Sequence, residues 1–308
     1  MIKKYNPKIL KNPQIYEHYW SLTLGLTDFY GKIFSSILKC IKNYIQVYGK
    51  DVLAEDNYEN ILQSEVLKIS PKAAKTDKDK LPSIRKEINA FIKLGFVEPK
   101  LSKTHYLVDE FLKAKTNRRK RNIFSRIVSA NSKIQCSVTK DNDKRNYMIF
   151  LLDTLEEIGQ FTKEDIIGLM TCNIDLYKKG YLTRGELDHL IIKYKADKFH
   201  KRKYNQVGYF MNILSKMTEI VNVNGLIKFT EDVSKENYPP DLRNTGRPYY
   251  KQRAYKDELM LESEEVFGEP RCMVDNTTAG IKFLTASHIK RWSICHNQSL
   301  VDEEFDPY

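Results

Sequence analysis

With 308 residues, the chain is long enough for two or three domains, each with its own core. Its charged content of 30% is accompanied by 19 tyrosines and 14 phenylalanines, which argues against wholesale disorder. The net charge of +11 favours a polyanionic partner, with nucleic acid ahead of an anionic membrane surface, although a lysine-rich proteome produces the same excess.

The cysteines and the hydropathy pattern indicate a compartment. The five cysteines are scattered, odd in number and without a Cys-x-x-Cys pair, which argues against a disulfide framework and fits a reducing cytoplasm. The first residues lack the apolar core of a signal peptide. No run of about 18 apolar residues is present. We therefore expect a cytoplasmic protein with no membrane partner.

The N-terminal region, 1–54, is predicted to be helical. Tyr16, Trp20 and Leu24 are spaced four residues apart, and a second apolar stripe of helical period runs over 33–45. The region carries no chemical signature. The pattern predicts packing or dimerisation, so a homodimer is among the expected assemblies.

The next region begins with two predicted helices. Residues 61–69 have helical spacing and stop before Pro71. After a polar linker, Pro82 is expected in the first turn of a second helix, where proline is tolerated, and Gly95 is expected to end that helix.

Two β-rich runs follow this second helix. Residues 96–99 and 106–108, separated by a polar turn, predict a two-stranded wing. The predicted module covers 55–144 and includes a basic stretch. Its first part, from about 55 to 110, resembles a winged helix-turn-helix, with 88–98 resembling the recognition helix and the start of the wing. A generic pair of helices followed by a β-hairpin is the alternative.

The region 145–235 repeats the pattern of helices followed by a hairpin. Thr162 is a predicted helix cap with Asp165 three residues later, and Thr183-Arg-Gly-Glu186 spells a capping box. Asn224-Gly225 between two β-rich runs is a strong hairpin signal. The sequence therefore predicts a second winged-helix-like module.

Basic residues cluster in two places. No acidic residue lies between Glu110 and Asp141, and a second basic run covers 198–203. Such clusters neutralise phosphates, while polar side chains on a helix facing a groove read bases. The predicted DNA-binding residues are Arg85, Lys86, Asn89, Lys93, Arg118, Arg119, Lys120, Arg121, Arg126, Lys201, Arg202, Lys203, Asn205 and Asn212. For any single residue, a solvated helix face is the alternative.

A connector over 236–270 leads to a C-terminal segment, 271–308. Here a short apolar run, Ile281-Lys-Phe-Leu-Thr-Ala-Ser, is followed directly by His288 and then by Ile-Lys-Arg-Trp292. The phrase resembles the HNH nuclease family, in the branch found in restriction endonucleases, although Arg291 stands where that branch usually has proline.

The resemblance implies a mechanism. His288 would be the general base that takes a proton from the attacking water, and a divalent cation, Mg²⁺ by expectation, would stabilise the leaving oxygen. Ser287 stands where many of these enzymes have a metal-binding aspartate. The family continues with an Asn-Gly strand and a helix that complete the metal site, and we expect this sequence to stop short of them at Tyr308.

A zinc site is an alternative for the same segment. It would use Cys272, His288, Cys295 and His296, although their spacing lacks the paired close ligands of zinc fingers.

Together these patterns predict an α+β fold, mostly helical, with tandem winged-helix-like domains followed by an incomplete ββα-metal (HNH) module. The expected function is sequence-specific, metal-assisted cleavage of double-stranded DNA, as in a restriction endonuclease. The alternatives are a non-catalytic DNA-binding protein, either a regulator or a cleavage-dead remnant, and an interaction protein whose basic runs are merely solvated.

Overall fold

The computed structural model describes residues 20, 22–54, 56–71, 77–141, 143–197, 199–230, 261, 263, 264 and 268, with the backbone alone at 56, 77–80, 196, 197 and 199–204. In this part of the chain the helices are α1 (Lys32–Tyr48), α2 (Ser64–Ile69), α3 (Asp77–Lys93), α4 (Val108–Lys113), α5 (Asn117–Asn131), α6 (Tyr147–Ile158), α7 (Lys163–Met170), α8 (Arg184–Asp197) and α9 (Phe199–Lys216). The strands are β1 (Ile220–Val223) and β2 (Leu226–Phe229).

The segment that precedes α1 corrects the expectation of a helix around Trp20. Trp20, Leu22 and Leu24 are all buried in a stretch that is not helical. Their spacing is that of an extended chain with one face buried. The backbone N–H of Trp20 donates to the Met170 carbonyl at 3.0 Å, and its indole Nε1 donates to the Cys172 carbonyl at 3.0 Å. Tertiary partners therefore fix an extended conformation here.

The helix predicted over 33–45 is confirmed as α1. Its inward face buries Phe34, Ile37 and Ile41, which follow the helical period. Phe34 packs against Phe91 of α3 with ring centroids 4.6 Å apart, and against Phe111 of α4 at 5.8 Å. The N-terminal helix and the first predicted module therefore share a core.

The helices of the first predicted module are present with different limits. A π-helical stretch, Asp56–Gln63, runs into α2, which ends before Pro71 as expected. α3 starts at Asp77, so Pro82 lies inside the helix and the expectation of a first-turn proline is wrong. Gly95 follows α3 with φ of 86°, which confirms it as the residue that ends the helix.

The hairpin expected after α3 is reduced to one bridge, between Val97 and Thr104. Proline has no N–H for a strand ladder, and Pro99 instead begins a 3₁₀ turn. The next residue but one, Leu101, has a φ of 54° and turns its side chain into the core. The prediction of a strand over 106–108 is wrong, because Tyr106 and Leu107 form a turn and Val108 begins α4.

The second predicted module contains the hairpin that its sequence indicates. β1 and β2 pair antiparallel with Val223 opposite Leu226, and Asn224 and Gly225 between them have φ of 52° and 84°. These positive angles are those of a type I′ turn, which explains the Asn-Gly sequence. Phe161, between α6 and α7, forms a bridge with Ile227 of β2.

Helix caps in this module also follow the sequence. Thr162 Oγ1 accepts from the Asp165 N–H at 3.2 Å, and Asp165 Oδ2 accepts from the Thr162 N–H at 2.6 Å. This reciprocal pair is a capping box, and it confirms Thr162 as the predicted helix cap. At the start of α8, Glu186 Oε2 accepts from the Thr183 N–H at 2.7 Å.

One continuous cluster of buried apolar side chains extends from Trp20 to Phe229. The described residues are mostly helical with a small antiparallel sheet, which confirms the α+β class. The domain boundaries stay a prediction. The ββα module predicted over 271–308 lies outside the described residues, and so does most of the connector.

Candidate nucleic-acid interface

The longest basic run forms the first turns of α5. Thr116 caps the helix, because its Oγ1 accepts from the Arg119 N–H at 3.1 Å. The first turn of α5 contains no acidic residue. A helix N-terminus carries a partial positive charge, so this turn adds cationic side chains to an end that favours anions. Nearby partners must offset that repulsion.

Two of the four predicted residues in this run reach acidic partners. Arg118 Nη1 donates to Glu264 Oε1 at 3.0 Å and to Glu264 Oε2 at 2.8 Å. Arg119 forms an ion pair with Glu110 of α4 at 3.6 Å. The side chain of Arg118 is 49% exposed, whereas that of Arg119 is only 17% exposed. Arg118 is therefore the more available of the two for an external anion.

The other two bind carbonyl oxygens within the fold. Lys120 Nζ donates to the Tyr30 carbonyl at 3.1 Å and to Ser35 Oγ at 3.3 Å. Arg121 donates to the Met217 carbonyl at 2.6 Å through Nη2 and to the Ile220 carbonyl at 3.2 Å. Lys120 and Arg121 were expected to be free to bind phosphates. The structure corrects this expectation, because each side chain attaches α5 to another segment of the fold.

The predicted recognition helix, α3, divides its candidates between two environments. Arg85 and Lys86 are exposed. Asn89 Oδ1 accepts from the Val138 N–H at 2.8 Å. Lys93 is buried and donates to the Ile134 carbonyl, and burial lowers its pKa to about 8. The expectation of a groove-facing side chain is wrong for Lys93, because the loop after α5 covers this end of α3.

The candidates on α9 and at the end of α5 are also divided. Asn205 is exposed. Asn212 donates to the Thr27 carbonyl at 2.9 Å, so its amide is engaged within the fold. Arg126 is half-buried near His105. The backbone of 201–203 lies in α9, and the side chains of Lys201, Arg202 and Lys203 lie outside the described residues.

Tyr30 contacts both Lys120 and Lys216, and no pattern in the sequence indicated this role. Its hydroxyl donates to the Lys216 carbonyl, and the Lys216 ammonium lies 5.8 Å from its ring centroid. Burial raises the pKa of Tyr30; the charge of Arg121 opposes this effect and that of Glu219 adds to it. Tyr30 therefore stays protonated at neutral pH and serves as a hydrogen-bond donor to the end of α9.

A cleft of about 310 Å³ opens beside this cluster. Its lining consists of Arg118, Arg121, Asn122, Thr218, Ile220, Val221, Thr230 and Leu261. Leu261 comes from the connector and is 6% exposed. The connector therefore reaches the basic face of α5 at the point where Arg118 meets Glu264.

His105 is a histidine, a residue type common at functional sites, and the sequence patterns did not point to it. Its Nδ1 accepts from the Leu107 N–H at 3.1 Å, and its Nε2 lies 3.0 Å from Asn131 Nδ2. Burial, and next the charge of Arg126, lowers its pKa to about 4. A neutral imidazole with both nitrogens engaged in the fold has a structural role here.

The catalytic candidate, His288, lies outside the described residues. Within the described ranges, no group of three or more His, Cys, Asp or Glu side chains is arranged to hold a metal ion, so we assign no metal ligand there. Nor does any helix among those residues have the length and apolar character needed to cross a membrane.

Comparisons with protein-family models, with curated proteins and with solved structures found no match to this chain. Its own residues therefore carry the functional argument.

Proposed function

We propose that this chain binds double-stranded DNA and that its C-terminal segment contributes the general base, His288, of a sequence-specific endonuclease of restriction type. The observation that carries the binding proposal is the pairing of Phe161 with Ile227. It adds a short strand segment, located between α6 and α7, to the hairpin that follows α9. This order of elements is that of a winged helix. It runs from a helix through a short strand and further helices to a hairpin, and the last strand of the hairpin pairs with the short strand.

We extend the winged-helix proposal to 55–144, where its support consists of α3, Gly95 and the Val97–Thr104 bridge. The exposed pair Arg85 and Lys86 lies on α3. In this proposal these two side chains contact DNA phosphates, as Lys and Arg do in salt-dependent binding.

The other proposed contacts come from α5 and α9. Arg118 is exposed at the start of α5, after the exposed Lys113 and Lys115. Asn205 is exposed on α9, the helix that precedes the hairpin, and a carboxamide suits adenine recognition in the major groove. Lys93, Asn89 and Asn212 are not among the proposed contacts, because their polar atoms bind their own chain.

The cleavage step rests on the resemblance of 281–292 to the HNH phrase. In this proposal the neutral imidazole of His288 accepts a proton from water, and the water oxygen attacks the phosphorus. A bound divalent cation, Mg²⁺ in this proposal, would supply electrostatic stabilisation of the leaving oxygen.

Plasmid cleavage by the full chain tests the proposal. We expect cleavage that needs Mg²⁺, stops with a chelator, and is lost in His288→Ala while DNA binding persists. His296→Ala is the matched control, because it removes a histidine from the same segment and should leave cleavage intact.

The other outcomes separate the alternatives. Salt-dependent binding without cleavage by the wild type would favour the non-catalytic DNA-binding protein. Loss of cleavage in both histidine variants would point to the zinc site and against a lone base at His288. Absence of DNA binding would contradict both the endonuclease hypothesis and the hypothesis of a non-catalytic DNA-binding protein.

A further inference from the structure

The ion pair between Arg118 and Glu264 joins α5 to the connector. The residues are 146 positions apart in the sequence, so the contact is tertiary. One guanidinium nitrogen donates to both carboxylate oxygens, at 3.0 and 2.8 Å. The side chains remain 49% and 30% exposed, so water or another anion can reach the pair. An ion pair of this exposure contributes little to stability and opens readily.

The start of α5 favours an anion that its own first turn does not contain. Its first turn contains no acidic residue and is capped by the uncharged Thr116. Both the helix end and the Arg118 side chain favour a negative group at this position. Glu264 supplies that group from the connector. A DNA phosphate meets the same requirement, because it also presents several acceptor oxygens to a guanidinium.

Leu261 holds the same short segment in place. It is 6% exposed and lines the cleft of about 310 Å³ together with Arg121 and Ile220. Ser263 is also buried, at 4% exposed. Leu261 is therefore docked in the cleft through its apolar side chain, and Glu264 is docked at the rim through one ion pair.

We propose that Leu261, Ser263 and Glu264 belong to a self-inhibitory contact, in which the carboxylate of Glu264 and a DNA phosphate compete for Arg118. The inference rests on the proposed DNA binding and adds its regulation. With Glu264 in place, Arg118 is neutralised and a carboxylate repels the backbone of approaching DNA. When a phosphate takes its position, Glu264 leaves Arg118 and the connector loses its ionic contact with α5.

The test is a binding titration of the full chain with a short DNA duplex of mixed sequence, at low and at moderate salt. Glu264→Gln removes the competing charge and should raise affinity by up to about five-fold, the size expected for an exposed ion pair. Leu261→Ser should act in the same direction. Glu65→Gln is the matched control, since Glu65 forms an exposed ion pair with Lys68 on α2 and its loss changes the net charge equally.

A double-variant cycle makes the test specific to Arg118. In an Arg118→Gln background, the proposal requires that Glu264→Gln no longer raises affinity. If Glu264→Gln raised DNA affinity equally in both backgrounds, or if Glu65→Gln raised it as much, the change in net charge alone would explain the effect. Either result would overturn the inference. Measurable wild-type binding that Glu264→Gln leaves unchanged would overturn the inference alone. Undetectable binding by every variant would contradict the proposed function and, with it, the inference.

Discussion

Phe161 and Ile227 exchange both of their backbone hydrogen bonds, from the Phe161 N–H to the Ile227 carbonyl at 2.9 Å and from the Ile227 N–H to the Phe161 carbonyl at 2.8 Å. Both side chains are fully buried. The exchange ties the turn between α6 and α7 to the last strand of the hairpin. The α6–β2 unit is therefore closed by a tertiary pairing that spans 66 residues of sequence.

The turn of the hairpin provides a first test of this unit. Gly225→Ala should destabilise the protein by about 1 kcal/mol, because an alanine at φ of 84° enters the left-handed region. Gly208→Ala is the matched control: Gly208 is exposed within α9, an added Cβ meets no neighbour, and alanine favours helix. Urea unfolding should show opposite signs for the two variants. Equal effects would contradict the assigned turn.

The basic run of α5 should separate into structural and exposed members. Arg121→Ala removes hydrogen bonds from a charged side chain to the Met217 and Ile220 carbonyls and should cost about 2 kcal/mol in the free energy of unfolding. Arg118→Ala, at an exposed ion pair, should change that free energy by under about 1 kcal/mol. If both variants were equally stable, the assigned role of Arg121 would be wrong.

The buried imidazole of His105 should make stability depend on pH. Its folded pKa of about 4 lies below the unfolded value of about 6.5, so the unfolded state binds the proton more tightly. The stability that the neutral His105 contributes is fully present above pH 6.5 and is lost as pH falls through 4, a change on the order of 3 kcal/mol. Unfolding at several pH values should show a shallower decline in His105→Gln. The control, His189→Gln at an exposed position on α8, should keep the wild-type decline.

The exposed cations of α3 should contribute to the salt dependence of DNA binding. The double variant Arg85→Gln/Lys86→Gln should lower the slope of log affinity against log salt by about 2, or about 0.9 for each phosphate contact. Lys39→Gln/Lys50→Gln removes the same charge from exposed positions at α1 and the turn after it. An equal loss of slope in this control pair would remove α3 from the interface.

Local signals in the sequence were reliable where the chain decides its own conformation. The Thr162 cap, the Gly95 stop and the Asn224-Gly225 turn are set by residues within a few positions of each other. Each was predicted at the correct position. The same reasoning failed at Pro99, where the missing N–H opposed the β-rich composition around it.

Partners distant in sequence explain the other differences. Trp20 and Leu24 fit a helical period, but Leu22 between them is also buried because the segment packs in an extended form on α7. The carbonyl partners of Arg121 lie 96 and 99 residues away, and the carboxylate partner of Arg118 lies 146 residues away. Composition identified a basic run, but it did not distinguish the side chains that hold the fold from those that face solvent.

DNA binding by this chain is best checked by measuring the affinity of the unmodified chain for a short DNA duplex over a series of salt concentrations. We expect log affinity to fall linearly as log salt rises, with a slope of several units, since each phosphate contact contributes about 0.9. Undetectable binding, or an affinity that salt does not change, would contradict it.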